Sequence, residues 1–239
     1  MNLNKLITGV TVSYNTKDLV KTSYESVRAF HPEMKLIIVD GSDENNPCFD
    51  YVDSLNSPND YVIQVAYNIG HGRGMCLGLY YVETPYVLFF DSDIEMLKSP
   101  VKDMLSMFEE DTFGVGYIEK TGFDGFEYGV KSNHTLEGWM PYLHPFFQLV
   151  KVSNYRKYYP YVHHGAPCVL TMFDIYKKGL SNKILKEFAE LGHSSGQGWS
   201  WKGMPREFIK HDVAGTRTSQ KRAGRSEIEG TWERNIGQL

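Results

Sequence analysis

The sequence predicts an α/β fold with a mostly parallel sheet flanked by helices, and three observations carry that expectation. Four short runs rich in β-branched and aromatic residues occur within residues 6–90, helical segments separate them, and each run stops on small polar or acidic residues. Strands that alternate with helices imply βαβ crossovers, right-handed at each crossing.

Residues 6–14, LITGVTVSY, alternate and are β-branched, which reads as the first strand. Asn15 or Thr16 then caps a helix to about residue 30, where Val20, Tyr24 and Val27 recur at helical spacing. Residues 34–40, MKLIIVD, read as a buried second strand running into Gly41, Ser42 and Asp43. A third strand spans residues 61–66 and enters a polar, glycine-rich turn from Asn68 to Gly74, before an apolar helix to about Val82. The fourth run, YVLFF at residues 86–90, is too short for a core helix and ends on Asp91, Ser92 and Asp93.

Further on, residues 100–109 place Val101, Met104, Leu105 and Phe108 on one helical face, and residues 113–118 read as a strand. Residues 121–161 lose periodicity and are dense in Gly, His, Pro and aromatics, as expected of an insertion. Residues 167–171 read as another strand, residues 181–191 as a helix with Ile184, Leu185 and Phe188 inward, and residues 206–210 as a late strand ending at His211. After Gly215 the chain gathers Arg217, Lys221, Arg222 and Arg225, expected to form a mobile basic tail. One domain is therefore expected over residues 1–239, with a first half to residue 98, a second over residues 99–214 and the tail from 215.

At 239 residues, with 41% hydrophobic and 23% charged side chains, the chain can bury a full core. Its 16 Tyr and 13 Phe suit either core packing or stacking surfaces. A net charge of -4 argues against wholesale wrapping of nucleic acid, which depends on phosphate neutralisation by Lys and Arg. Cys48, Cys76 and Cys168 are odd in number, widely spaced and without a CxxC, so reduced thiols and a cytoplasmic location are expected. No run approaches the roughly twenty apolar residues of a membrane span, and no signal-peptide plan opens the chain.

All four expected strands deliver polar groups to one edge: Ser13 and Asn15, Asp40 and Ser42, Asn68 to Arg73, and Asp91 to Asp93. Ligands of open α/β sheets bind beyond the carboxyl ends of the strands, and two carboxylates one residue apart can hold a divalent cation through oxygen. The bland alternative for Asp91 and Asp93 is that they cap a following helix or sit solvated in a turn. The cluster Gly70-His71-Gly72-Arg73-Gly74 misses the GxGxxG spacing by one place and follows the third strand, which argues against a dinucleotide site. No GxxxxGK[ST] is present.

Together, TVSYN at residues 11–15, LIIVDGS at 36–42, the stretch from Asn68 through Gly78 and VLFFDSD at 87–93 resemble the nucleotide-binding half of family 2 glycosyltransferases with the GT-A fold. DSD matches that family's Asp-X-Asp motif in sequence and in placement after a strand. The resemblance covers about two-fifths of the chain, with the motifs in order. It implies a metal-dependent transferase that moves a sugar from a nucleotide diphosphate, most often UDP, to an acceptor hydroxyl with inversion. In such enzymes Asp40 would accept from the uracil ring N–H, and Ser13, Tyr14, Asn15 and Ser42 would line the same pocket. Asn68, Gly72, Arg73 and Ser92 would complete the donor site, Asp91 would face the ribose and sugar, and Asp93 would ligate Mn²⁺ or Mg²⁺ on the diphosphate. Arg73 is alternatively a surface arginine lying over the helix start.

The distal half matches less closely. His211 resembles the late histidine that completes the metal site with Asp91 and Asp93, and Arg217 with the basic tail would then close over the diphosphate. The departure is the catalytic base. Where inverting members carry a carboxylate, this chain reads GHSSGQGW from Gly192, which leaves His193 as the candidate base and Glu190 and Asp124 as alternates. His163 and His164 are candidates for lining the acceptor site, and one of Trp199 and Trp201 for a sugar platform; buried structural roles serve either pair as well. Acceptors consistent with the sequence include a glycan, a lipid intermediate, a protein and a modified nucleobase. A non-catalytic sugar- or nucleotide-binding protein is the rival reading. A sugar nucleotidyltransferase, which typically opens with a glycine-rich basic loop where this chain has Ser13-Tyr14-Asn15-Thr16, is another.

Overall fold

The alternating, β-branched opening forms β1 (Ile7–Ser13), which becomes an interior strand of a sheet because its side chains are apolar or small on both faces. In this computed structural model, residues 3–55, 58–123, 125, 139–163, 165–191 and 208–211 are described. The chain continues through α1 (Lys17–Phe30), β2 (Lys35–Asp40), α2 (Pro47–Asp53), β3 (Asp60–Gln64), α3 (His71–Tyr80), β4 (Tyr86–Phe90), β5 (Ile94–Met96) and α4 (Val101–Ser106). There follow β6 (Gly114–Gly122), β7 (Trp139–Lys151), α5 (Val152–Tyr155), α6 (Val169–Lys177), α7 (Ser181–Ile184), β8 (Leu185–Glu187) and β9 (Ile209–His211).

Seven strands form one sheet in the order β3-β2-β1-β4-β7-β6-β8. β1 pairs in parallel with β2 and β4, β2 with β3, and β6 with β8, whereas β7 runs antiparallel to both β4 and β6. The chain steps outward from β1 to β3 and then returns to place β4 on the other side of β1. The carboxyl ends of β1 and β4 flank that reversal, which is where open α/β sheets bind ligands.

Strand periodicity sorts the core into two faces. Val10, Ile37 and Phe89 pack with Met75 and Leu79 of α3 and with Met172 and Ile175 of α6. Ile7, Leu36, Leu88 and Phe90 pack instead with Val27 of α1, Val101 and Met104 of α4, and Ile94 and Ile209 of the β5-β9 ribbon. The small residues of α3 let it lie close on the sheet, since a Cβ at Gly78 would come within 2.5 Å of Val10 Cγ1.

Four expectations change. Residues 121–161 contain β7, a thirteen-residue strand at the heart of the sheet. Pro141 and Pro145 disguise it, and burial on both faces removes any alternation; Pro145 lies where the β6 register shifts, so the ladder hydrogen bond it lacks is not needed there. Residues 167–171 are not a strand but lead into α6, and only the first turn of the expected helix at 181–191 forms. Leu185–Glu187 pair instead with Gly114–Gly116, so tertiary pairing overrides local helical spacing. Finally, the glycine-rich stretch is not all turn, because α3 begins at His71 directly after Gly70, whose φ of 82° ends the preceding loop.

Candidate metal and donor site

The two acids that follow β4 do not cap a helix. β5 comes next and α4 starts only at Val101, so the capping alternative is ruled out for Asp91 and Asp93. β5 pairs antiparallel with β9, Ile94 opposite His211, and this pairing returns a residue more than a hundred positions distant to the end of β4. Asp91, Asp93 and His211 then offer ligand atoms that all lie within 4.8 Å of one another.

Within the cluster, His211 Nε2 stands 3.2 Å from Asp93 Oδ1 and 3.5 Å from Asp91 Oδ2. The other oxygen of Asp91, Oδ1, lies 3.2 Å from His71 Nε2. Burial would pull the His211 imidazole down, but bonds to Asp91 and Asp93 outweigh it and push it up to about 9. Burial likewise opposes ionisation of Asp91, yet the charges and hydrogen bonds of His71 and His211 hold its carboxyl well below the usual carboxylate range. His71 is raised as well, with Asp91 outweighing the cost of burial. Two carboxylates and an imidazole at this separation are a donor set suited to Mn²⁺ or Mg²⁺: hard oxygens, with one nitrogen that must shed its proton to ligate.

The backbone around the acids is tied down. Asp91 N donates to Phe146 O at 2.9 Å, Ser23 Oγ of α1 donates to Asp91 O at 3.1 Å, and Met96 N donates to Ser26 Oγ at 3.0 Å. Phe146 of β7 also stacks on the His211 ring, 4.9 Å between centroids and 10° between planes. His144, two residues earlier on β7, is 6.4 Å from His211 by ring centroids and 3.8 Å from Glu119 Oε1.

On the adjacent strand ends, Asp40 is fully buried and accepts from Ser13 Oγ and Ser42 Oγ, both at 2.7 Å on Oδ1. Burial pushes the Asp40 carboxyl up and these hydroxyls pull it part of the way back. Asn15 takes a left-handed φ of 56°, which an Asn tolerates, and turns its N–H onto Ser42 Oγ at 2.8 Å. Its side chain exchanges hydrogen bonds with Asp43, Nδ2 to Oδ2 at 2.8 Å and Asp43 N to Oδ1 at 3.0 Å. Tyr14 is half-buried beside them, and Ser92 is buried between the two acids.

Asn68 is exposed and uses its Oδ1 to accept from Gly70 N at 3.1 Å, closing the turn before α3. Gly72 is buried within α3, and Arg73 is exposed on the same helix. His193, Arg217, Asp124, His164, Trp199 and Trp201 lie outside the described residues, and Glu190 is exposed in a short turn. Sequence reasoning did not single out His71, Phe146, Ser23 or the His144–Glu119 pair. His71 was visible only as one of two non-glycines in a glycine run, and the others reach the site through tertiary packing alone.

A family model described as glycosyl transferase family 2 matches residues 9–193. Among solved structures, the chain resembles the mannosyltransferase PcManGT from Pyrobaculum calidifontis, in complex with GDP-Man and Mn²⁺, at 11% identity and a TM-score of 0.52 over 76% of this chain and 54% of that one. It resembles S. aureus TarS 1–349 at 18% identity and a TM-score of 0.52, covering 77% and 58% of the two chains. A mycobacterial protein is similar at 12% identity and a TM-score of 0.54, covering 77% and 66%. At such identities the likeness is one of fold, and the chain spans only 54% to 66% of the length of these three proteins. No curated protein matches the chain.

Proposed function

Because the chain belongs to glycosyl transferase family 2, we propose that it transfers a sugar from a nucleotide diphosphate, a UDP-sugar, to an acceptor hydroxyl with inversion. The observation that carries the reading is the meeting of Asp91, Asp93 and His211 at the carboxyl end of β4, beside the strand reversal. Mn²⁺ or Mg²⁺ held there would neutralise charge on the departing diphosphate. Asp93 and His211 would hold the ion, with Asp91 beside them and facing the sugar side.

Asp40, Ser13, Ser42 and Asn15 form the nucleotide end. Their mutual hydrogen bonds fix the loops after β1 and β2 before any ligand arrives, which lowers the ordering cost of binding. The uracil ring N–H is assigned to Asp40, and Tyr14, Asn68, Gly72, Arg73 and Ser92 line the remainder of the donor site with Arg217. In the reaction the acceptor oxygen bonds to the anomeric carbon as the bond to the diphosphate oxygen breaks, and the hydroxyl proton passes to a base, for which His193 is the candidate. The acceptor is a glycan, a lipid intermediate or a modified nucleobase. No helix among the described residues is long and apolar enough to cross a membrane. Three free cysteines support a cytoplasmic setting.

A panel of UDP- and GDP-sugars, incubated with Mn²⁺ or with EDTA and scored for release of the nucleoside diphosphate, tests the reading. Release from a UDP-sugar that needs Mn²⁺ and disappears in Asp93→Ala is the expected result. Binding of UDP without any release would identify a sugar-nucleotide binder on the same fold, and release from GDP-sugars alone would move the base assignment.

A further inference from the structure

We propose that His71 is a positioning residue of the metal centre: its Nε2 holds Oδ1 of Asp91 and thereby sets the direction in which Asp91 presents Oδ2 to the ion. The inference rests on the metal-site reading above and adds to it a residue outside the three ligands.

The two oxygens of Asp91 are divided between two imidazoles, Oδ1 at 3.2 Å from His71 Nε2 and Oδ2 at 3.5 Å from His211 Nε2. A carboxylate on a short side chain can rotate about its last bond. A polar partner packed against one oxygen restricts that freedom and favours one direction for the other. The group of ligand atoms within 4.8 Å of one another is Asp91, Asp93 and His211, and His71 is not one of them, so its part is assigned to Asp91 alone. Nε2 and Oδ1 face one another at contact distance without being aligned as a hydrogen bond; a ring N–H on Nε2 can turn onto this oxygen whether the imidazole is neutral or charged.

His71 is itself well fixed. It is the first residue of α3, and its neighbour Gly72 donates its N–H to His163 O at 2.9 Å. The loop carrying His163 passes so close that a Cβ on Gly72 would lie 2.5 Å from that oxygen and 2.7 Å from His163 N. The start of α3 is thereby clamped between the sheet and the 162–163 backbone. Hydrogen bonds from outside the ligand set orient metal-binding carboxylates, and their loss costs on the order of 10–100-fold in metal affinity or activity.

The test is an Mn²⁺ titration of the full chain followed by electron paramagnetic resonance, on the wild type, His71→Ala, His71→Gln, His71→Asn and Asp93→Ala. Gln places an amide N–H near the position of Nε2, and Asn falls short of it. His71→Ala and His71→Asn are expected to bind Mn²⁺ about 10–100-fold more weakly, with His71→Gln recovering most of the loss. If the Ala variant does not fold, the Gln and Asn pair decides the matter alone. Wild-type affinity in His71→Ala or His71→Asn, or equal weakness in Gln and Asn, would overturn the role of His71. With Asp93→Ala still impaired, that result would leave the metal centre standing. A wild type that binds no Mn²⁺ would instead sink the metal reading and this inference with it.

Discussion

The imidazole of His211 lies flat on the ring of Phe146, centroids 4.9 Å apart and planes 10° from parallel, while the carbonyl of Phe146 accepts from Asp91 N. One residue of β7 thus holds both halves of the candidate metal centre, the ligand before β5 through its backbone and the ligand on β9 through its ring. Phe146 is fully buried. Phe146→Ala should therefore destabilise the fold by about 3–5 kcal/mol and also weaken Mn²⁺ binding, whereas Phe146→Leu should recover much of the stability and little of the affinity. Denaturant unfolding and an Mn²⁺ titration on the same samples check the pair.

Metal affinity should rise with pH. His211 is raised to about 9 in the metal-free site, and an ion can be ligated only after that proton leaves. Affinity for Mn²⁺ should climb by up to about tenfold per pH unit between 6.5 and 9 and then level off. The metal-free protein behaves in the opposite sense. A group raised on folding stabilises fully below its unfolded value of 6.5, and that contribution fades as pH rises through 9. Calorimetric Mn²⁺ titrations and metal-free melting curves across this range test both signs.

Gly72 lies where no side chain fits. His163 backbone atoms occupy the space a Cβ would need, at 2.5 and 2.7 Å, and backbone cannot swing aside as a long side chain can. Gly72→Ala should cost about 1–3 kcal/mol, measured by denaturant unfolding.

Much of this was legible in the chain and some of it was not, for identifiable reasons. The strands β1 to β4 are apolar runs ending on polar residues, and because they are parallel their ends meet at one edge; Asp40 and Asp91 were placed there by the sequence pattern. His211 came from the resemblance to the family's late metal-site histidine, since a lone histidine after a strand otherwise reads as structural. β7 was hidden by its prolines and two-sided burial, and β8 by a helical pattern that pairing with β6 overrules. His71 was masked by the glycines around it. Phe146 and Ser23 carry no local signal, since what they do depends on β7 and α1 lying beside the end of β4.

The proposed nucleotide end rests on one buried carboxylate. Asp40 Oδ1 accepts two hydroxyl hydrogen bonds, and removing it leaves Ser13 and Ser42 without their acceptor. Asp40→Ala should weaken UDP binding by roughly 10–100-fold, the equivalent of about 1.5–3 kcal/mol for hydrogen bonds to a charged group. Isothermal titration with UDP and Mn²⁺ measures it, and unchanged affinity would remove Asp40 from the donor site.

The most direct measurement is the anomalous diffraction of a crystal soaked in Mn²⁺ and UDP, collected for the wild type and for Asp93→Ala. A single strong manganese peak within coordination distance of Asp91, Asp93 and His211, lost in the variant, is the result that the proposed metal site predicts. A peak elsewhere, or an undiminished peak in Asp93→Ala, would contradict it.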